Sequence, residues 1–191
     1  QDFYITNDFG ALLRPNELFR NDTVADGSGK LSFTDVSSKL SADLAIGGMG
    51  AAGGDYDRDG DLDIYITAIE SENALLRNDG AKGFKNVIEA AKAESTNKDA
   101  VHAWGVAWID ADNDGWLDLY VANGYLHFTF TGSPGGGGGD KPPGSGTPPS
   151  ASNPEAQPDT LLRNLGNGTF ADVTAKSMTA NTLPSRSVLT V

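Results

Sequence analysis

Asp55-Tyr56-Asp57-Arg58-Asp59-Gly60-Asp61-Leu62-Asp63 runs directly into the apolar segment Ile64-Tyr65-Ile66-Thr67. The same plan returns as Asp110-Ala111-Asp112-Asn113-Asp114-Gly115-Trp116-Leu117-Asp118, followed by Leu119-Tyr120-Val121. Aspartates at every second position repel one another at neutral pH, and a hard cation with oxygen ligands relieves that repulsion. Calcium takes roughly six to eight oxygens in a flexible shell. Glycine at the sixth position permits the sharp turn that gathers positions one, three and five around one point. The expected ligands are the side chains of Asp55, Asp57 and Asp59 in the first loop, and of Asp110, Asp112 and Asp114 in the second. Asp61 and Trp116, at position seven, offer backbone carbonyls, which leaves their side chains free to differ. Asp63 and Asp118 close the shell, so the sequence predicts two calcium sites.

An EF-hand loop opens in the same way, but it needs glutamate at position twelve and a helix on each side. Position twelve is Ile66 in the first loop and Val121 in the second, and a β-branched, aromatic run follows each. Both loops therefore lead into strands. The alternative of a solvated acidic turn that binds nothing is disfavoured by duplication of the whole spacing.

A chain of 191 residues holds one sizeable core or a row of small repeat units. Its net charge of −12 disfavours nucleic acid and anionic membrane surfaces as partners. Nine of its 26 acidic residues lie in the two loops, and two bound calcium ions would move the charge to −8. There are no cysteines, so compartment cannot be read from disulfides. Weak acidic calcium sites suit extracellular calcium levels, and the chain begins at Gln1 with no apolar leader, as a processed or excised chain would. No run approaches the roughly 18 apolar residues of a membrane span. The expectation is a secreted or cell-surface protein.

Three phrases each occur three times in the same order. The first is Asp2-Phe-Tyr-Ile-Thr-Asn7, Asp63-Ile-Tyr-Ile-Thr-Ala68 and Asp118-Leu-Tyr-Val-Ala-Asn123. The second is Leu18-Phe-Arg-Asn-Asp22, Leu75-Leu-Arg-Asn-Asp79 and Leu161-Leu-Arg-Asn-Leu165. The third is Leu31-Ser-Phe-Thr-Asp-Val36, Gly83-Phe-Lys-Asn-Val87 and Gly168-Thr-Phe-Ala-Asp-Val173. The first phrase recurs after 61 and then 55 positions. Short strands and Gly/Asn turns on that period predict an all-β fold of four-stranded, propeller-type blades. Gly50-Ala-Ala-Gly-Gly54 and Gly105-Val-Ala-Trp-Ile109 precede the loops, and their small residues suit an inner strand where backbones crowd.

The run Gly53-Gly54-Asp55 through Tyr65, with Leu75-Leu-Arg-Asn78 and Phe84, resembles an FG-GAP/VCBS repeat, the calcium-binding blade of integrin α-chain propellers and of many bacterial surface proteins. Trp104-Gly-Val-Ala-Trp-Ile-Asp110 with Leu-Tyr-Val-Ala-Asn123 is most similar to the cartilage-acidic-protein-like branch. The resemblance covers most of the chain outside 126–158. It implies propeller blades, calcium at Asp55/57/59/63 and Asp110/112/114/118, and adhesive or scaffolding roles.

The expected organisation is one repeat domain over 1–191: a partial blade over 1–47, a complete blade over 48–102, and a second over 103–185. An insertion at 132–158 interrupts the second complete blade. Residues 186–191 read as a lone first strand, which would complete the partial blade. Three blades' worth of strands is fewer than the roughly four to eight that close a ring. The C-terminal strand of one copy could instead pair with the N-terminal strands of another, giving an open head-to-tail filament. The alternatives are an adhesion or ligand-binding module cut from a larger propeller, and the non-catalytic propeller domain of a polysaccharide-acting enzyme. Partners would be other copies of the chain, or an extracellular protein or glycan.

The Gly/Pro-rich segment 132–158 cannot bury a core and reads as an exposed loop whose Ser, Thr and Pro suit O-linked sugar. Asn21-Asp-Thr23 and Asn167-Gly-Thr169 match the N-glycosylation pattern, although the repeat already favours turn-forming Asn at both places. Trp104 and Trp108 are read as packing between blades, Tyr56 and Trp116 as loop side chains that point outward, and Arg20, Arg77 and Arg163 as forming a structural hydrogen bond or ion pair within each blade. His102 and His127 lie in no nucleophile or metal-ligand pattern. With no Ser/His/Asp set, cysteine or phosphate loop, the chain is not expected to be an enzyme.

Overall fold

The computed structural model of the chain describes residues 1–24, 29–69, 72–94, 102–124, 158–177 and 188–189. Among these residues, eleven strands form three antiparallel sheets. The first sheet holds β1 (Phe3–Ile5), β2 (Glu17–Asn21) and β3 (Phe33–Asp35) in that order. The second holds β4 (Gly47–Gly54), β5 (Asp63–Ile69), β6 (Ala74–Asn78) and β7 (Phe84–Asn86). The third, in spatial order, is β8 (Ala103–Ile109), β9 (Asp118–Asn123), β10 (Thr160–Asn164) and β11 (Phe170–Asp172). Among the described residues, helix is confined to a 3-10 turn, Gly80–Lys82, and one α-helical turn, α1 (Thr174–Ser177). These are β-propeller-type blades, each a short up-and-down sheet.

The same polar clamps recur in every sheet, which explains why the three phrases repeat. The N–H of Asn7, Ala68 and Asn123 donates to the side chain of Asn16, Asn73 and Asp159, at 2.8, 2.9 and 2.8 Å. Each acceptor is buried and stands two residues before the leucine of the second phrase. The N–H of Val36, Val87 and Val173 returns to the carbonyl of Leu18, Leu75 and Leu161 at 3.0, 2.8 and 3.0 Å. Backbone groups at the strand ends, which a short sheet leaves unpaired, thus find partners.

Alternation along the strands sends side chains to two cores, each lying between successive blades. Ile64, Ile66 and Leu76 leave one face of the second sheet and meet Leu18, Val36 and Ala42, with Tyr4 and Phe84 against them. Tyr65 and Leu75 leave the other face and meet Leu119, Val121, Leu162 and Phe170. In the first sheet, Phe3, Ile5, Phe19 and Phe33 stand at the places of Ile64, Ile66, Leu76 and Phe84. Phe3 stacks on Phe19 and meets Phe33 edge-on, yet Phe3, Ile5 and Phe33 stay 42, 37 and 40% exposed.

β4 is a strand in spite of a sequence with little strand propensity, because the next blade leaves no room for side chains. A Cβ on Gly50 would lie 2.4 Å from the Trp104 carbonyl oxygen, and one on Gly54 would lie 2.6 Å from the Trp108 indole. Trp108 also donates its indole N–H to the Ala52 carbonyl at 3.1 Å. Both inner strands carry a bulge at the same place, between Gly48 and Gly50 and between Ala103 and Gly105.

The insertion, apart from Pro158, and most of the lone C-terminal strand lie outside the described residues, as does His127. Tyr56 does not point outward: it is 2% exposed and packs among Trp108 and Phe170, because its aromatic ring fills the gap between the second and third sheets.

Candidate metal centres

Each acidic loop joins the first strand of a sheet to the second: 55–62 between β4 and β5, and 110–117 between β8 and β9. The turn is made by two left-handed residues in each loop. Gly60 and Gly115 at position six have φ of 97° and 86°, and Arg58 and Asn113 at position four have φ of 60° and 59°. Asparagine tolerates this conformation, whereas arginine adopts it at a cost of about 1 kcal/mol. Position four was not singled out from the sequence, because only glycine announces a positive φ in the letters.

The fold brings positions one, three and nine together. Asp55, Asp57 and Asp63 each place a carboxylate oxygen within 4.8 Å of the other two, and Asp110, Asp112 and Asp118 do the same. The position-five carboxylates stand outside these trios and brace the turn, Asp59 accepting the Asp61 N–H and Asp114 the Trp116 N–H, both at 2.9 Å. Asp55 accepts the N–H of Asp59 and Gly60 at 3.1 Å, and Asp110 that of Gly115 at 3.0 Å.

Asp63 and Asp118 are 0 and 1% exposed, and each is pinned through both oxygens. Asp63 accepts the N–H of Asn78 at 2.9 Å and of Tyr56 at 3.2 Å. Asp118 accepts the N–H of Asn164 at 2.8 Å and of Ala111 at 3.0 Å. Burial pushes the Asp63 carboxyl up to about 7, against the opposing pull of these N–H groups, and burial also raises Asp118. Asp57 is raised by burial and by the charge of Asp59.

The donor set fits a hard divalent cation. Asp57 Oδ1 and Asp110 Oδ1 are buried and accept no hydrogen bond, although a buried carboxylate oxygen without a partner is costly. All six side chains of the two trios offer carboxylate oxygen, the donor that calcium prefers. Bound there, the ion would be held by Asp55, Asp57 and Asp63 in one loop and by Asp110, Asp112 and Asp118 in the other.

At position seven, the Asp61 carboxylate lies beside Gly80 and the Trp116 indole beside Gly166, so both side chains cover the hairpin that follows the second phrase. Trp116 is half-buried and does not stand free in solvent: the Arg58 guanidinium carbon sits 4.1 Å from its ring centroid. Arg58 also donates to the Gly115 carbonyl, so the first loop is latched to the second. Arg20 and Arg77 pair with Asp22 and Asp79 within their own sheets, both at 2.7 Å. Arg163 instead reaches Asp112 at 2.5 Å and Asp114 at 3.1 Å. Asn78 and Asn164, last residues of the Leu-x-Arg-Asn phrase, hold the closing aspartates; the signal was their threefold recurrence, but their partners are some fifteen and forty-six residues away.

Residues 55–121 match the FG-GAP-like repeat family. The chain is also similar to cartilage acidic protein 1 of Xenopus tropicalis, at 30% identity over 125 residues. That match covers 63% of this chain and 18% of the relative. Among the described residues, no helix is long and apolar enough to cross a membrane.

Proposed function

We propose that this chain is an extracellular, calcium-binding structural module whose blades are stabilised by two ions and whose copies join end to end, rather than an enzyme. The observation that carries the calcium reading is the pair of equivalent carboxylate trios, each with one buried oxygen that nothing in the protein satisfies. The likeness to the FG-GAP-like repeat family and to cartilage acidic protein 1 supports an extracellular, non-enzymatic role. Ions at the turn would neutralise the aspartates and lock strand one to strand two, which couples metal binding to blade stability. Equilibrium dialysis of chelator-treated protein against calcium chloride tests this: two ions per chain are expected, and none would overturn the reading.

End-to-end joining is supported by the first sheet. Among the described residues it has three strands where its neighbours have four, and the face that its neighbours bury against a preceding blade is an exposed cluster of Phe3, Ile5 and Phe33. A strand and a blade face from a second copy would cover both. The same face also favours a second reading, an adhesion or ligand-binding module within a longer propeller, in which a preceding blade covers it. Electron microscopy and size-exclusion chromatography over a wide concentration range separate them. Filaments or concentration-dependent oligomers support joining; monomers throughout overturn it in favour of the longer propeller. A glycan is expected at exposed Asn167 sooner than at half-buried Asn21, read as a mass loss on enzymatic deglycosylation after expression in a secretory host.

A further inference from the structure

Arg77 and Arg163 occupy equivalent places in β6 and β10, yet they serve different carboxylates. Arg77 turns to Asp79, two residues along, as Arg20 turns to Asp22. The third copy of the phrase has Leu165 at that place. Lacking the local partner, Arg163 extends into the second acidic loop, with Nε donating to Asp112 at 2.5 Å and Nη2 to Asp114 at 3.1 Å. The position-three carboxylates consequently differ. Asp57 keeps a buried oxygen without a hydrogen bond, whereas Asp112 receives Arg163 on one oxygen and the Asp114 N–H, at 3.2 Å, on the other.

We infer that Arg163 is a built-in counter-cation of the second loop, that it makes calcium binding there weaker than in the first loop, and that Leu165 sets this difference. The inference rests on the calcium reading above. An ion entering among Asp110, Asp112 and Asp118 must displace the guanidinium from Asp112 or tolerate a like charge beside it, and both lower affinity. The pair is partly exposed, at 45% for Arg163 and 36% for Asp112, so solvent screens it and the effect is modest. The first loop fills at lower calcium than the second, and the blades respond to calcium in two steps.

Calorimetric titration of calcium chloride into chelator-treated protein tests this in two backgrounds. Asp55→Ala with Asp57→Ala leaves the second loop alone; Asp110→Ala with Asp112→Ala leaves the first. Adding Arg163→Gln is expected to tighten the second loop about three- to fivefold and to leave the first unchanged. Leu165→Asp, on an exposed residue, gives Arg163 the local partner that Arg77 has and is expected to tighten the second loop in the same direction. Unchanged or weaker binding by the second loop in both variants overturns the inference, as do two equal affinities in the unsubstituted chain. Absence of calcium heat from either loop overturns the calcium reading itself and the inference with it.

Discussion

The Asp63 carboxylate accepts the backbone N–H of Asn78 at 2.9 Å, and so fastens the start of β5 to the end of β6. Asp118 does the same for Asn164 at 2.8 Å. Asp2 does it for Asn21 at 2.7 Å in the first sheet. The ninth position thus fastens two strands through hydrogen bonds that need no ion, whereas the carboxylates of positions one and five brace only the turn itself.

That distinction yields the first prediction. Asp63→Ala leaves the N–H groups of Asn78 and Tyr56 without their acceptor and should cost about 2–3 kcal/mol in chelator, and more in calcium, where an ion ligand is lost as well. Asp57→Ala with Asp112→Ala should lower the melting temperature in calcium and leave it nearly unchanged in chelator. Thermal unfolding of both variants in the two buffers checks this, and equal losses for the Asp57/Asp112 pair would remove the ions from the account.

Blade packing supplies the second. Gly54→Ala would set a methyl about 2.6 Å from the Trp108 indole and should cost about 1–3 kcal/mol, with a shift in tryptophan emission. Gly53→Ala, whose nearest neighbour would be 3.9 Å away, should be nearly neutral. Chemical denaturation of the two variants side by side is the measurement; similar losses would mean that backbone freedom, not contact between blades, selects these glycines.

The latch between the loops supplies the third. Arg58→Ala removes the cation from the Trp116 face and the donor to the Gly115 carbonyl. A loss of about 0.5–1 kcal/mol is expected, with Trp116 more accessible to acrylamide quenching. Arg58→Gly loses the same contacts but relieves the left-handed backbone, and should therefore be the more stable of the two by about 1 kcal/mol.

Calcium removal supplies the fourth. Chelator should lower the melting temperature of the unsubstituted chain, and added calcium should restore it in proportion to the logarithm of its concentration. Magnesium, which demands a smaller octahedral shell, should restore much less at equal concentration.

Much of this was legible in the letters because both signals are local. The alternation Ile64-Tyr65-Ile66 and the recurring phrases give the all-β class, since side-chain direction along a strand has a period of two wherever the strand lies. The acidic loops are legible because their carboxylates fall within nine residues, and a short turn can gather only what lies close in sequence. What depends on distant parts of the chain was not. Tyr56 follows a polar aspartate and reads as exposed, but Phe170 and Trp108 arrive from the third sheet and bury it.

By itself, the sequence determined the strand pattern, the turns at Gly60 and Gly115, and the two stretches in which carboxylates gather, because local sterics and charge spacing suffice for these; that positions one, three and nine cluster while Asp59 and Asp114 stand apart was decided by the fold. Only the tertiary structure decided that Arg163 pairs with the acidic loop while Arg77 pairs with Asp79, that Asn78 and Asn164 hold the closing aspartates, and that the first sheet keeps an exposed aromatic face. The first two depend on which strands and loops a blade brings side by side and the third on what stands against its face, and such partners are set by strand pairing and packing rather than by the spacing of letters.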